Sequence, residues 1–330
     1  MAVSIADIQK LRKMTGAGLS DCKKALTETE GNFDKAVEII REKGQAIAAK
    51  RSDRETSNGC VLVKYADNFG AIVALKCETD FVANGADYIK LTQDILDAAV
   101  AAKAKSLDEV KELTLADGTK VLDAVVARSG ITGEKMELDG YNFIEGENIS
   151  TYDHMGKHTL CTMVQTNKAA EEQAHAIAMQ VAAMKPMFLD EASVSQEFIE
   201  EEKKVAAEKT KQELVQKAVD AALKKAGINP AHVDSEEHME SNMGKGWITA
   251  EDVAKAKEII ATVSAEKAAN LPAQMIENIV KGRINRIYKE NCLLNQEFIQ
   301  DSKLSVADYL KAADKDLTVV DYKRFSLSAD

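Results

Sequence analysis

Ala71-Ile72-Val73-Ala74-Leu75 runs through Lys76-Cys77 into Glu78-Thr79-Asp80-Phe81-Val82-Ala83-Asn84. The apolar run reads as a strand, and the residues from about Asp87 onward read as helix. The seven residues between them form a corner that sets a large aromatic beside a carboxylate. Two readings of that corner stand. In one, Phe81 folds back into the core and Asp80 caps the following helix. In the other, Phe81 is a wedge that enters a partner protein. The residues alone leave both open.

Working outward, Val61, Val63 and Tyr65 alternate with Leu62 and Lys64, Asp67-Asn68-Phe69-Gly70 supplies a turn, and Ile72 to Cys77 returns, which makes an antiparallel hairpin. A helix from about Asp87 to Lys103 follows, and Leu107 to Ser129 reads as more helix. Before the hairpin, Ile5, Ile8 and Leu11 have helical spacing behind a Ser4 cap. A second helix opens at Ser20-Asp21-Cys22, and a third, marked by Phe33, Val37 and Ile40, is expected to end at Gly44. The charged stretch 45–58 reads as a linker, helical at first, with Lys50-Arg51 and Arg54 solvated. A second strand region is expected from Tyr141, with His158 to Val164 its clearest strand and helix resuming from Lys168 to about Met184.

From about Ser195 to Glu290 the pattern is helical, with a loose apolar stripe at Phe198, Val205, Val215, Val219 and Ala222. It reads as a long antiparallel helical hairpin or coiled coil whose first arm has about 28 residues, or roughly 42 Å. Val319 to Leu327 alternates as a final strand. The expected class is α+β with antiparallel sheets, in five parts: a three-helix module at 1–44, a linker at 45–58, one α+β half at 59–140, a second at 141–194 with 291–330, and a helical insertion at 195–290.

The 330 residues carry a formal charge of −11, which disfavours nucleic acid as a direct partner. Five scattered cysteines without a CxxC spacing argue against zinc and for reduced thiols in a cytosolic compartment. Residues 1–30 show no secretory apolar region, and no run approaches 18 apolar residues, so no membrane partner is expected. Asn242-Met243-Gly244-Lys245-Gly246-Trp247 fails as a phosphate loop, because Met239 stands where the first glycine belongs and Gly246 where Ser or Thr is needed. His154 and His158, read as strand or loop, would lie about 13 Å apart, too far to share a metal. No set for covalent catalysis emerges, and no cofactor or metal is expected.

Leu11-Arg12-Lys13-Met14-Thr15-Gly16-Ala17-Gly18-Leu19-Ser20-Asp21-Cys22-Lys23-Lys24-Ala25-Leu26 closely resembles the N-terminal ubiquitin-associated-like module of the elongation factor Ts family. Thr79 to Ala83 is similar to that family's TDFVA signature. Ile177 to Pro186 resembles its IAMHVAA-x-KP stretch, and Met275 to Arg283 with Leu293 to Phe298 resembles its later part. The motifs occur in family order across most of the chain. The resemblance implies a nucleotide exchange factor, not an enzyme, whose partner is elongation factor Tu. Carried over by motif, Thr79, Asp80, Phe81 and Val82 would enter the partner and disturb its Mg²⁺ and phosphate site so that GDP leaves. Tyr152-Asp153-His154 is similar to a Ser-Tyr-x-His segment near the partner, which makes Tyr152 and His154 candidate secondary contacts. Two departures stand out. The projection at about 212–266 is longer than the family's hairpin and leaves a second partner, self-association or an inert spur open. The chain also ends on the final strand, where many relatives carry a further helix. A rival reading is a non-enzymatic adaptor built from the three-helix module and the coiled coil.

Overall fold

The apolar run through Leu75 is the middle strand of a three-stranded sheet in the computed structural model, which describes residues 3–328. In chain order the helices are α1 Ile5–Thr15, α2 Leu19–Glu28, α3 Phe33–Lys50, α4 Asp80–Ala83, α5 Ala86–Ala102, α6 Leu107–Glu112, α7 Val121–Thr132, α8 Glu171–Met184, α9 Gln196–Lys225, α10 Glu236–Gly244, α11 Ala250–Ala269, α12 Ala273–Asn291 and α13 Val306–Ala313. The strands are β1 Asn58–Ala66, β2 Phe69–Cys77, β3 Met136–Glu145, β4 Ile149–Asp153, β5 Leu160–Thr166, β6 Glu297–Phe298, β7 Asp301–Ser305 and β8 Val319–Ser326. The class is α+β, and the sheets are small and antiparallel. The chain divides into two compact units, one made of the segments up to Leu189 and from Gln296 onward, the other of Asp190–Asn295.

In the first unit, side chains of β2 alternate between two cores. Phe69, Ala71, Val73 and Leu75 join Ile95, Leu96 and Ala99 of α5. Ile72 and Ala74 join Ile149, Cys161 and Met163 of the second sheet, β4-β5-β8. A strand covered on both faces has no use for a polar side, which is why its sequence is an apolar run rather than an alternation. The second sheet is backed by α8, where the Thr162 hydroxyl donates to the Ala178 carbonyl at 2.8 Å. The two sheets meet closely at Gly140. A Cβ there would lie 2.6 Å from Cβ of Ala74 and 2.3 Å from the Phe325 ring, so glycine is what permits the approach.

Three expectations need correction. The strand placed from Tyr141 begins at Met136 and pairs with β2, so it completes the first sheet rather than opening a second region. The third helix does not end at Gly44 but runs on to Lys50. Gly44 is buried against α7, where a Cβ on Gly130 would lie 2.4 Å from the Gly44 Cα. Glycine serves there for close helix packing, not as a left-handed cap. Residues 45–50 are therefore helix, and the Arg51 and Arg54 side chains, read as solvated linker, both pair with Glu78.

In the second unit, Ser195 caps α9 by accepting the Phe198 amide, and the helix runs for 30 residues, about 45 Å. The helical insertion returns along α9 in two pieces, α11 and α12, separated at Asn270-Leu271-Pro272, where proline cannot continue the first. Val215, Val219 and Leu223 of α9 pack with Val253, Ala256 and Ile260 of α11.

Candidate functional site

A four-residue helix cannot hold itself together, because nucleation costs more than one turn of hydrogen bonds returns. The geometry of α4 is imposed by what precedes it. Glu78 binds Arg51 at 3.1 Å and Arg54 at 2.8 Å, and accepts the Lys135 amide at 2.7 Å. The Lys135 N–H, with the two guanidinium groups, holds the Glu78 carboxyl down to about 2, well below its ordinary value. The Glu78 carbonyl accepts from Asn58 Nδ2 at 2.9 Å. Thr79 is held by both oxygens of Glu134: its amide donates at 3.1 Å and its hydroxyl at 2.7 Å. The Cys77 thiol donates to the Thr79 carbonyl at 3.2 Å.

Beyond this stem the turn divides by side chain. Val82 and Ala83 face the core shared with α5. Asp80 is exposed, and Phe81 is 87% exposed. Thr79, not Asp80, is the helix cap, accepting the Val82 amide through its hydroxyl. The reading in which Phe81 folds back while Asp80 caps the next helix is thereby set aside, since α5 starts from Gly85 with no side-chain cap.

Tyr152 and His154 stand together. The Tyr152 hydroxyl is 3.0 Å from His154 Nδ1, and the Tyr152 ring meets the rings of His154 and His175 edge-on. The segment after β4 is a tight turn, the loop rather than the strand of the two readings for His154 to His158. Met155, Gly156 and His158 all take positive φ, and Asp153 accepts both the His158 amide and its ring nitrogen. Among the described residues, no group of three or more His, Cys, Asp or Glu could hold a metal. The turn is tied to β1, because the His158 carbonyl accepts the Val61 amide at 2.7 Å. Val61 is about 10 Å along β1 from Asn58, which itself holds Glu78.

Sequence reasoning missed Arg51, Arg54, Glu134 and Lys135, which position the corner. Arg51 and Arg54 lay in a stretch read as solvated, and Glu134 and Lys135 between the helix read to Ser129 and the strand read from Tyr141, so charge was their only signal.

The elongation factor Ts family profile matches residues 78–226 and 216–329. Elongation factor Ts of Bacteroides fragilis is 68% identical over 331 residues, covering 100% of both chains. That of Bacteroides thetaiotaomicron is 66% identical, also over 100% of both chains. That of Porphyromonas gingivalis is 43% identical over the same share. With a family profile spanning most of the sequence and full-length relatives at these identities, the chain belongs to the elongation factor Ts family of translation factors.

Proposed function

We propose that the chain is a guanine-nucleotide exchange factor for elongation factor Tu, and that the Asp80–Phe81 corner is the part that enters the partner. The observation that carries this reading is an aromatic ring 87% exposed on a turn whose stem is fixed by side chains from several segments. A ring presented this way pays little ordering cost on insertion. Thr79 holds the corner from behind and Val82 seats it on the core, while Phe81 wedges and Asp80 brings a carboxylate. Tyr152 and His154 form a second contact.

The mechanism requires no bond to be made or broken. Mg²⁺ beside a nucleotide supplies much of the local positive charge, and a wedge and carboxylate that disturb its site weaken nucleotide binding. The coupling is reciprocal: the factor by which this chain lowers GDP affinity is the factor by which GDP lowers the affinity for this chain. Release of a fluorescent GDP analogue from purified elongation factor Tu tests the reading. Addition of the chain is expected to accelerate release, and Phe81→Ala to lose roughly 30-fold or more of that acceleration, the size of an interface hot-spot truncation. Unchanged release with the Phe81→Ala variant would reject the wedge.

A further inference from the structure

We infer that the outer edge of β3 is a docking groove for an extended, uncharged peptide segment of another protein, which joins the first sheet as a further strand. β3 pairs with β2 alone, so its other side is a sheet edge. An edge carries a row of main-chain donors and acceptors with no strand to meet them. Proteins commonly blunt such an edge with a lysine, a proline or a bulge. Tyr141-Asn142-Phe143-Ile144-Glu145 has none of the three, since the register shift of this pair lies at Ala74/Leu75, outside the stretch.

The register fixes which groups face outward. The Gly146 amide donates to the Asn68 carbonyl at 2.8 Å, one step beyond the pair of Glu145 with Phe69. In an antiparallel ladder, residues that exchange hydrogen bonds alternate with residues that do not. Ile144 and Asn142 therefore turn their N–H and C=O groups toward β2, and Tyr141, Phe143 and Glu145 turn theirs away. Among the described residues, no hydrogen bond reaches those outward groups. They open on a groove of about 390 Å³. Residues 105–107 wall it from the side of the first core, where Leu107 packs with Tyr141 and Phe143. Gln165 of β5 with Asp321 and Lys323 of β8 wall it from the side of the second sheet.

The lining selects the occupant. Its charges pair with one another, Lys105 with Glu145 at 2.8 Å and Lys323 with Asp321 at 2.8 Å, so the groove favours no ion of either sign. The Tyr141 hydroxyl donates to the Ala104 carbonyl at 2.7 Å, and the Gln165 amide to the Glu147 carbonyl at 3.1 Å. What remains for a ligand is the main-chain edge beside the half-buried Leu107, Tyr141 and Phe143. An extended peptide matches both. Its amides and carbonyls meet the edge, and an apolar side chain at every second position meets the rings. The recess excludes a second copy of this chain, whose own β3 edge lies between the same walls, because two recessed edges cannot meet.

The probe is a fluorescein-labelled Thr-Val-Thr-Val-Thr-Val peptide added to the full-length chain, with binding read by anisotropy and amide hydrogen exchange read residue by residue by NMR. In the free chain, Asn142 and Ile144 should be protected while Tyr141, Phe143 and Glu145 exchange fast. Peptide should slow those three roughly tenfold at about nine-tenths occupancy, since only the unoccupied fraction exchanges. Two further peptides carry N-methyl groups on alternate amides, one on the Thr residues and one on the Val residues. One should lose binding and the other keep it, because an added strand turns only one of its edges to the sheet. Glu145→Pro removes an outward donor without breaking a bond to β2, and should weaken binding roughly fivefold, the worth of one hydrogen bond. Glu145→Ala removes only the partner of Lys105 and should bind as wild type does. The exchange and methylation arms use the unaltered chain and decide the matter even if Glu145→Pro does not fold. No saturable binding, no slowing at the three amides, loss of binding with both methylated peptides or with neither, or wild-type affinity in a folded Glu145→Pro would each overturn the proposal. Protection of the same amides that grows with chain concentration in the absence of peptide would make a second copy the occupant, and would overturn it as well.

Discussion

Phe69 and Phe81 lie at the two ends of one segment, β2 and the turn that follows it, and meet opposite fates. Phe69 is fully buried and stacks on Phe143 with ring centroids 5.6 Å apart; Phe81 is 87% exposed. Nothing in side-chain chemistry separates them. β2 is sandwiched between α5 and the second sheet, so the ring on it is covered. The α4 turn is gripped by its backbone and by Thr79, so its conformation is determined without using Phe81 at all. A fold can present an apolar group only where other bonds do the folding.

The difference is sharpest in stability. Phe69→Ala should cost about 3–5 kcal/mol, the usual range for a buried aromatic, seen as a lower urea midpoint. Phe81→Ala should stay within about 0.5 kcal/mol, as surface substitutions do, while exchange falls. Comparable stability losses in the two variants would break the contrast. Gly130→Ala follows in size. Its methyl group would meet the Gly44 Cα, so overpacking of α3 against α7 should cost about 1–3 kcal/mol. Wild-type thermal stability in Gly130→Ala would mean that the two helices separate cheaply.

The stem adds a pH signature. The folded-state pKa of Glu78 is depressed to about 2 from an ordinary 4.5, so its contribution is present above pH 4.5 and is lost as pH falls from 4.5 through about 2. Glu78→Gln should flatten the acid limb of the stability curve in that window and leave the slope near neutrality unchanged. An identical acid limb in wild type and Glu78→Gln would show that neither the Lys135 N–H nor Arg51 and Arg54 hold the carboxylate.

Much of this was legible in the chain itself. The apolar run of β2 announced a strand, and Ser4 caps its helix as its position suggests. The α+β class followed from the same patterns. What was not legible depends on partners distant in sequence. Gly44 has the local context of a helix stop, and only its contact with Gly130 makes it an interior residue. Arg51 and Arg54 look solvated until Glu78 is brought to them, and the outward Phe81 depends on Glu134 reaching Thr79. A periodic pattern records which face is apolar, not which segment will cover it. That is why the core strands could be read and the direction of Phe81 could not.

The smallest expected effect tests that dependence directly. Glu134 gives one oxygen to the Thr79 amide and the other to its hydroxyl. Glu134→Gln keeps the shape but offers one acceptor and one donor. The Thr79 hydroxyl can rotate to accept from the new amide, while the backbone N–H keeps the remaining oxygen. Both bonds survive, but they lose the charge assistance that makes such contacts stronger. Stability should therefore change by only about 0.5–1 kcal/mol. The exchange rate should fall by a few-fold, because a looser stem must be reordered each time the ring enters its partner. Glu134→Ala removes both acceptors and should lower exchange further at similar fold stability. If exchange in Glu134→Ala matches wild type while Phe81→Ala remains impaired, the ring acts without the stem, and rigid presentation is not what makes it effective.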